Sequence, residues 1–413
     1  MKQVIIVFFI LFATGLKAQT LDDYFKIASE NNPGLLAQHR EFEAALQQVT
    51  QISSLPDPSL SVSAFGQMVE TRVGPQQARF SLSQMFPWFG TLKAQGDAAS
   101  LMAESKYQDY RNSKNRLYYE LSKVYYPLYE LRELSKLEER NVEILESFKT
   151  VSNSKFKNGN GTLVDVLRVD IMLKEAKTKL SILKKKEKPL QESFNALLNR
   201  NEKDPIIIVD SLSLEPLPID SLHDSINPVH PLVYAEELRV KAGEASEQVA
   251  LKKGLPNLGI GLDYIMVGNR TDLPAGAVVP SDNGKDAIMP MLTVSLPIFR
   301  GKYKAAVKEA QLMQESYAYR KVEVINTLQA EYEQVLYEIS EQSDLINLYE
   351  EQRNESEQIL NLLLSSYGNS GKDFEEVLRM QQQILNFDKS KVSALTQYTI
   401  AKAKLEYITA KRF

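Results

Sequence analysis

Three proline-centred phrases occur twice, in the same order, along a chain of 413 residues. Asn32-Pro33-Gly34-Leu35 returns as His230-Pro231-Leu232-Val233, Leu55-Pro56-Asp57 as Leu255-Pro256-Asn257, and Phe86-Pro87-Trp88-Phe89-Gly90 as Leu296-Pro297-Ile298-Phe299-Arg300-Gly301. Further on, Val166, Val169, Leu173 and Ala176 map onto Val377, Met380, Ile384 and Phe387, and Leu117, Leu121, Val124 and Leu128 onto Leu328, Tyr332, Val335 and Ile339. A period this long means that a supersecondary unit has been duplicated, so the chain reads as two related modules. Their expected bounds are 19–200 and 229–413, joined by a Pro- and Asp-containing stretch over 201–228 in which Ile206 to Val209 could form a short strand.

Each module changes period along its length. After the Pro-Gly punctuation the apolar residues fall three and four apart, as in Val166, Val169, Leu173, Ala176, Leu180 and Leu183, which is the seam of a coiled coil. The spacing predicts a long helix over 91–156, a turn at Gly159-Asn160-Gly161 and a return helix over 162–199. The second module repeats this with a helix over 302–367, a turn at Gly368 to Gly371 and a return over 373–411. At 1.5 Å per residue each long helix reaches about 100 Å. A shorter helix from Pro33 or from Pro231 covers what the return helix leaves bare, each opened by a proline suited to a first helical turn. Two independent antiparallel coiled coils would satisfy the same periodicity.

Between the short and long helices the period is two. Leu258, Ile260, Leu262, Tyr264 and Met266 alternate with mostly polar or glycine positions, and Ala78, Phe80 and Leu82 alternate with Gln77, Arg79, Ser81 and Ser83. This predicts two β-hairpins, over 59–86 and 257–296, with strands long enough to cross a bilayer at a tilt. Phe86, Trp88, Phe89 and Phe299 stand at strand ends, where an interfacial aromatic girdle belongs. Four strands cannot close a barrel in lipid, so other copies must supply the remainder. Two copies give eight strands, too narrow for a solute pore, and three give twelve, so three is favoured, though counting alone does not settle it.

Composition removes most other classes. Lys2, the apolar run Val4 to Ala13 and the small residues before Ala18 form a secretory leader over 1–18, and no later stretch could span a bilayer as a helix. There is no cysteine and the formal charge is −4, which excludes thiol chemistry, disulfides and Cys-rich zinc sites and argues against a nucleic-acid partner. His39, His223 and His230 are scattered, and no nucleophile elbow or phosphate loop is present, so neither enzyme activity nor a cofactor is expected. Asn283-Gly284 with Asp282 and Asp286 reads as a loop turn before it reads as a calcium site.

The paired Asn-Pro-x-Leu and Leu-Pro-x-Pro/Leu-Pro-Asn phrases, Ser83-Gln84-Met85-Phe86-Pro87-Trp88-Phe89-Gly90 and Gly161-Thr162-Leu163-Val164-Asp165-Val166-Leu167 together resemble the TolC-type outer-membrane channels of tripartite efflux pumps and type I secretion systems. Glu70 to Gln76, followed by Phe86-Pro87-Trp88, is most similar to the branch that works with resistance-nodulation-division pumps. The resemblance implies an α+β membrane protein: a homotrimer whose four strands per chain make a twelve-stranded β-barrel in outer-membrane lipid of a Gram-negative bacterium, continuous with a periplasmic α-barrel. It implies a passive exit duct whose hairpin tips, at Gly159, Gly161, Thr162 and Leu163 and at Gly368 and Gly371, meet a periplasmic adaptor joined to an inner-membrane pump. It also implies an acidic entrance, placed here at Asp165 and Glu376, with Arg168 and Arg379 one helical turn on as possible partners. The alternative is a soluble periplasmic coiled-coil scaffold or adaptor, which would explain the heptads and the leader but not the alternating strands.

Overall fold

The computed structural model describes residues 20–214, 230–274, 276–370 and 374–411. The expected leader lies outside them, as does Gly371. The elements run α1 (Leu21–Asn31), α2 (Pro33–Ser53), β1 (Ser59–Thr71), β2 (Gly74–Phe86), α3 (Thr91–Lys157), α4 (Leu163–Leu197), α5 (Pro231–Lys253), β3 (Asn257–Val267), β4 (Ala287–Ser295), α6 (Arg300–Ser370) and α7 (Phe374–Ile408). The chain divides into two compact units, one of Met1–Gln38, Tyr110–Pro231 and Ile325–Phe413, the other of His39–Asp109 and Leu232–Val324.

The first unit is helical. Its larger core gathers Tyr24, Phe25 and Ala28 of α1 against Leu117, Leu121 and Tyr125 of α3 and Phe194 of α4, with Tyr24 meeting Phe194 edge-on at 5.1 Å between ring centres. Each fully buried aromatic or leucine here is worth about 1.5–3 kcal/mol of transfer free energy. Helix α1 was not foreseen from the periodicity. Its start carries a capping box, in which Thr20 accepts from the Asp23 amide at 3.3 Å and the Asp23 carboxylate accepts from the Thr20 amide at 3.0 Å.

Residues 206–209, where a short strand was expected, form neither helix nor strand among the described residues. Side chains replace the missing ladder. The hydroxyls of Tyr24, Tyr125 and Tyr129 accept from the amides of Ile207 (2.7 Å), Val209 (3.0 Å) and Leu212 (3.3 Å), while Arg132 donates to the carbonyls of Ile208, Val209 and Asp210. Tyr125, Tyr129 and Arg132 lie four and three residues apart on α3, so one helix face presents them in register. The same helix meets α7 through a polar layer, where Lys389 pairs with the buried Glu138 and Ser393 donates to Glu130.

The second unit holds the sheet, ordered β1-β2-β3-β4 and antiparallel throughout, with the helical segments that flank it. Arg239 of α5 pairs with both Glu236 and Asp109, and Gln311 of α6 donates to Glu247 of α5 at 2.8 Å.

Two expectations follow for the first unit. Tyr24→Phe removes the acceptor of the half-buried Ile207 amide, so it should cost about 0.5–1.5 kcal/mol, seen as a lower melting temperature and faster hydrogen exchange confined to residues 206–209. Burial pushes the His230 imidazole down to about 4, only partly offset by its hydrogen bond to the Tyr407 carbonyl. The unfolded chain therefore binds a proton that the folded chain refuses, and stability falls as pH drops from about 6.5 towards 4. Thermal melts across that window should show this slope, and His230→Gln should remove it.

Candidate channel lining and hairpin tips

The register of the sheet sorts its side chains by row. Val62, Phe80, Tyr264 and Ile288 lie opposite one another across the four strands, and two residues along lie Leu60, Leu82, Leu262 and Pro290. The intervening rows are Ser61, Ser81, Asp263, Met289 and Ser59, Ser83, Gly261, Met291. Successive residues of a strand point to opposite faces, so one face is apolar and the other carries serines on β1 and β2, methionines on β4 and one ion pair, Arg79 to Asp263. Much of the apolar face is exposed among the described residues: Leu60, Val62, Ile288 and Leu292 are 64–73% exposed. A face of that kind suits lipid, and the serine face suits a water-filled lumen. No helix among the described residues is long and apolar enough to cross a membrane.

The aromatics expected at strand ends sit where strands give way to helices. Phe86 closes β2, Trp88 and Phe89 follow it with ring centres 6.0 Å apart, and Phe299 precedes α6; Phe89 and Phe299 are exposed.

At the end of α3 the chain reverses through a Schellman motif. Gly159 takes φ +74°, the Gly159 amide donates to the Phe156 carbonyl at 3.1 Å and the Asn160 amide to the Lys155 carbonyl at 2.9 Å. Gly161 passes close to the helix end it has left, and a Cβ there would lie 3.0 Å from Lys155 Cβ. Helix α4 then opens with a second capping box, in which Asp165 takes the Thr162 hydroxyl at 2.7 Å and its amide at 3.3 Å. The helix before the other expected turn runs further than its sequence suggested. Helix α6 runs through Gly368 to Ser370, because a lone glycine costs a helix interior only about 1 kcal/mol and is not a stop by itself.

The four charged residues expected together at the entrance are partnered unequally. Arg379 pairs with Glu376 within its own helix, but Arg168 reaches Glu375 of α7 at 3.0 Å and not Asp165, whose carboxylate is committed to the cap. The pair thus links α4 to α7. Lys155 lies over the Tyr367 ring at 3.4 Å, and Tyr367 stacks on Phe374, which Phe148 meets edge-on. Asp170 accepts from Lys149 and Lys174, and those bonds lower its carboxyl to about 2. Leu163, expected at the tip, begins an exposed stripe on α4 that continues at four-residue intervals through Leu167 and Ile171, which sequence reasoning missed. The signal was present as a second apolar spacing beside Val169 and Leu173, which are buried.

The model of the outer membrane efflux protein family matches residues 25–199 and again 228–411. The chain belongs to that family. It is accordingly an outer-membrane channel protein with a periplasmic helical domain, and not an enzyme. Comparison with the curated proteins finds no match. Among solved structures, the family fold recurs in the outer membrane protein VceC of Vibrio cholerae (16% identity, 94% of this chain and 95% of that one, TM-score 0.74). It recurs also in the MtrE outer membrane channel of Neisseria gonorrhoeae in its open state (17%, 95% and 89%, 0.74) and in the CmeC outer membrane channel of Campylobacter jejuni (16%, 95% and 86%, 0.73). At such identities the likeness concerns the fold alone.

The cap separates the two roles open to Asp165. Asp165→Ala should fray the first turn of α4 and cost about 1 kcal/mol, whereas Asp165→Asn, which keeps an acceptor, should leave it ordered. Hydrogen exchange over residues 162–168 distinguishes them.

Proposed function

We propose that this efflux protein is the exit duct of a tripartite pump, passing solutes from a periplasmic adaptor and an inner-membrane transporter to the exterior. The reading rests on one observation, the division of the sheet into an exposed apolar face and an opposite face that carries the serines of β1 and β2 and the sheet's ion pair. Strands β1 and β4 are open edges, and open edges are not tolerated in hydrocarbon. Three copies joined edge to edge give a twelve-stranded barrel with the serine rows inside. The family model's two matched segments, 25–199 and 228–411, support reading the chain as two repeats, each bringing a hairpin and a pair of long and return helices to the assembly.

In this reading the tips around Gly159 to Leu163 and around Gly368 meet the adaptor, and Leu163, Leu167 and Ile171 are covered there or by the next protomer. Phe86, Trp88, Phe89 and Phe299 anchor the rim of the barrel in the lipid headgroups. Asp165 and Glu376, three of each, ring the periplasmic entrance and favour cations in its mouth. The pump is of the resistance-nodulation-division type, and the pump, not the duct, supplies the energy.

Light scattering on the detergent-extracted protein, with bound detergent subtracted, should give the mass of three chains. A monomer or dimer that stays in solution without detergent would support a periplasmic scaffold instead.

A further inference from the structure

Charge is almost absent from the strands. Apart from Glu70, next to the last residue of β1, the only charged side chains in the four strands are Arg79 and Asp263. Both are on the serine face. Arg79 stands opposite Ser63 and Ile265, Asp263 opposite Ser81 and Met289, so the two meet on the diagonal across the β2–β3 seam. A charge on a lipid face near midplane would cost about 2–4 kcal/mol, which is consistent with both lying on the other side.

The pair is unsymmetrical. The Asp263 side chain is fully enclosed, at 0% exposure, while Arg79 keeps 38%. Of the guanidinium nitrogens only Arg79 Nη2 meets the carboxylate, which also accepts from the Ser81 hydroxyl, and Asp263 Oδ1 and Arg79 Nε have no hydrogen-bond partner among the described residues. This is not the fork-on-fork bridge that satisfies an arginine and a carboxylate completely. The carboxylate acts as a tether beneath, and the guanidinium remains the charge that faces the lumen. A tethered guanidinium also has little side-chain entropy left to lose when it meets an anion.

We propose that Arg79, positioned by Asp263, is the charge-selecting residue of the sheet-lined part of the conduit, and that it favours solutes carrying a carboxylate or phosphate group. The proposal rests on the exit-duct reading above. In a trimer, three guanidinium groups form one collar. Its polarity is opposite to that of Asp165 and Glu376, which belong to the other compact unit.

The test is the reversal potential of the purified full-length protein in planar bilayers under a KCl gradient. Arg79→Gln leaves three bare carboxylates and should shift the chloride-to-potassium permeability ratio towards potassium, by about threefold, the weight of one unit charge acting through water at about 7 Å. Asp263→Asn frees the guanidinium and should shift the ratio the other way by a similar factor, and the double variant should return near the unmodified value. A pair of merely structural importance would not give shifts of opposite sign. Because the chain has no cysteine, Arg79→Cys offers a route that spares the buried carboxylate. A cationic thiol reagent should restore anion preference and an anionic one deepen cation preference. Conductance with an unchanged ratio in Arg79→Gln, or no difference between the two reagents, overturns the proposal. No conductance from the unaltered protein overturns the duct reading with it.

Discussion

Every backbone amide and carbonyl placed in hydrocarbon must find a protein partner, and a four-stranded sheet leaves two rows of them unanswered. The outer strands here, β1 and β4, are those rows, and they border a face whose leucines, valines and isoleucines stand exposed among the described residues. Both deficits have one remedy, which is more strands from further copies and lipid around them. The rest of the molecule serves that remedy: long helices too polar to enter the membrane, and turns that send them back on themselves.

The helical unit shows how such a chain stays ordered without disulfides or a compact centre. Its cores are local, one around Tyr24, Tyr125 and Phe194 and another around Leu145, Val169 and Phe374, with the Glu138 to Lys389 pair on a polar layer of its own. Burial supplies most of the stabilisation. The polar contacts set register, since a slip of one heptad would leave Glu138 enclosed without a counter-charge.

Much of this was legible in the residue order because two periods, 3.5 and 2, carry the fold and alternate cleanly. The strands Leu258 to Met266 and Ala78 to Ser83, and the helices on either side, could be read from spacing alone. What escaped had a physical reason in each case. Ile206 to Val209 looks like a strand, yet its partners are tyrosine hydroxyls and an arginine from helices, which no local pattern announces. Gly368 looks like a stop, yet the helix tolerates it. Asp165 and Arg168 stand one turn apart and suggest a pair, but the carboxylate completes a cap and the guanidinium crosses to Glu375. Leu163, Leu167 and Ile171 were hidden by the buried seam that runs beside them. Spacing identifies which residues share a face and leaves open what that face touches.

The central claim is that the sheet stands in a bilayer with the serine rows turned to water. Single cysteines at Leu60, Leu262 and Ile288, and at Ser61, Ser81 and Ser83, introduced one at a time into the cysteine-free chain and spin-labelled in reconstituted membranes, test it most directly. The first three should collide freely with oxygen dissolved in lipid and poorly with a water-borne nickel chelate, and the serine positions should do the reverse. Equal access of the nickel chelate to both sets would contradict the account.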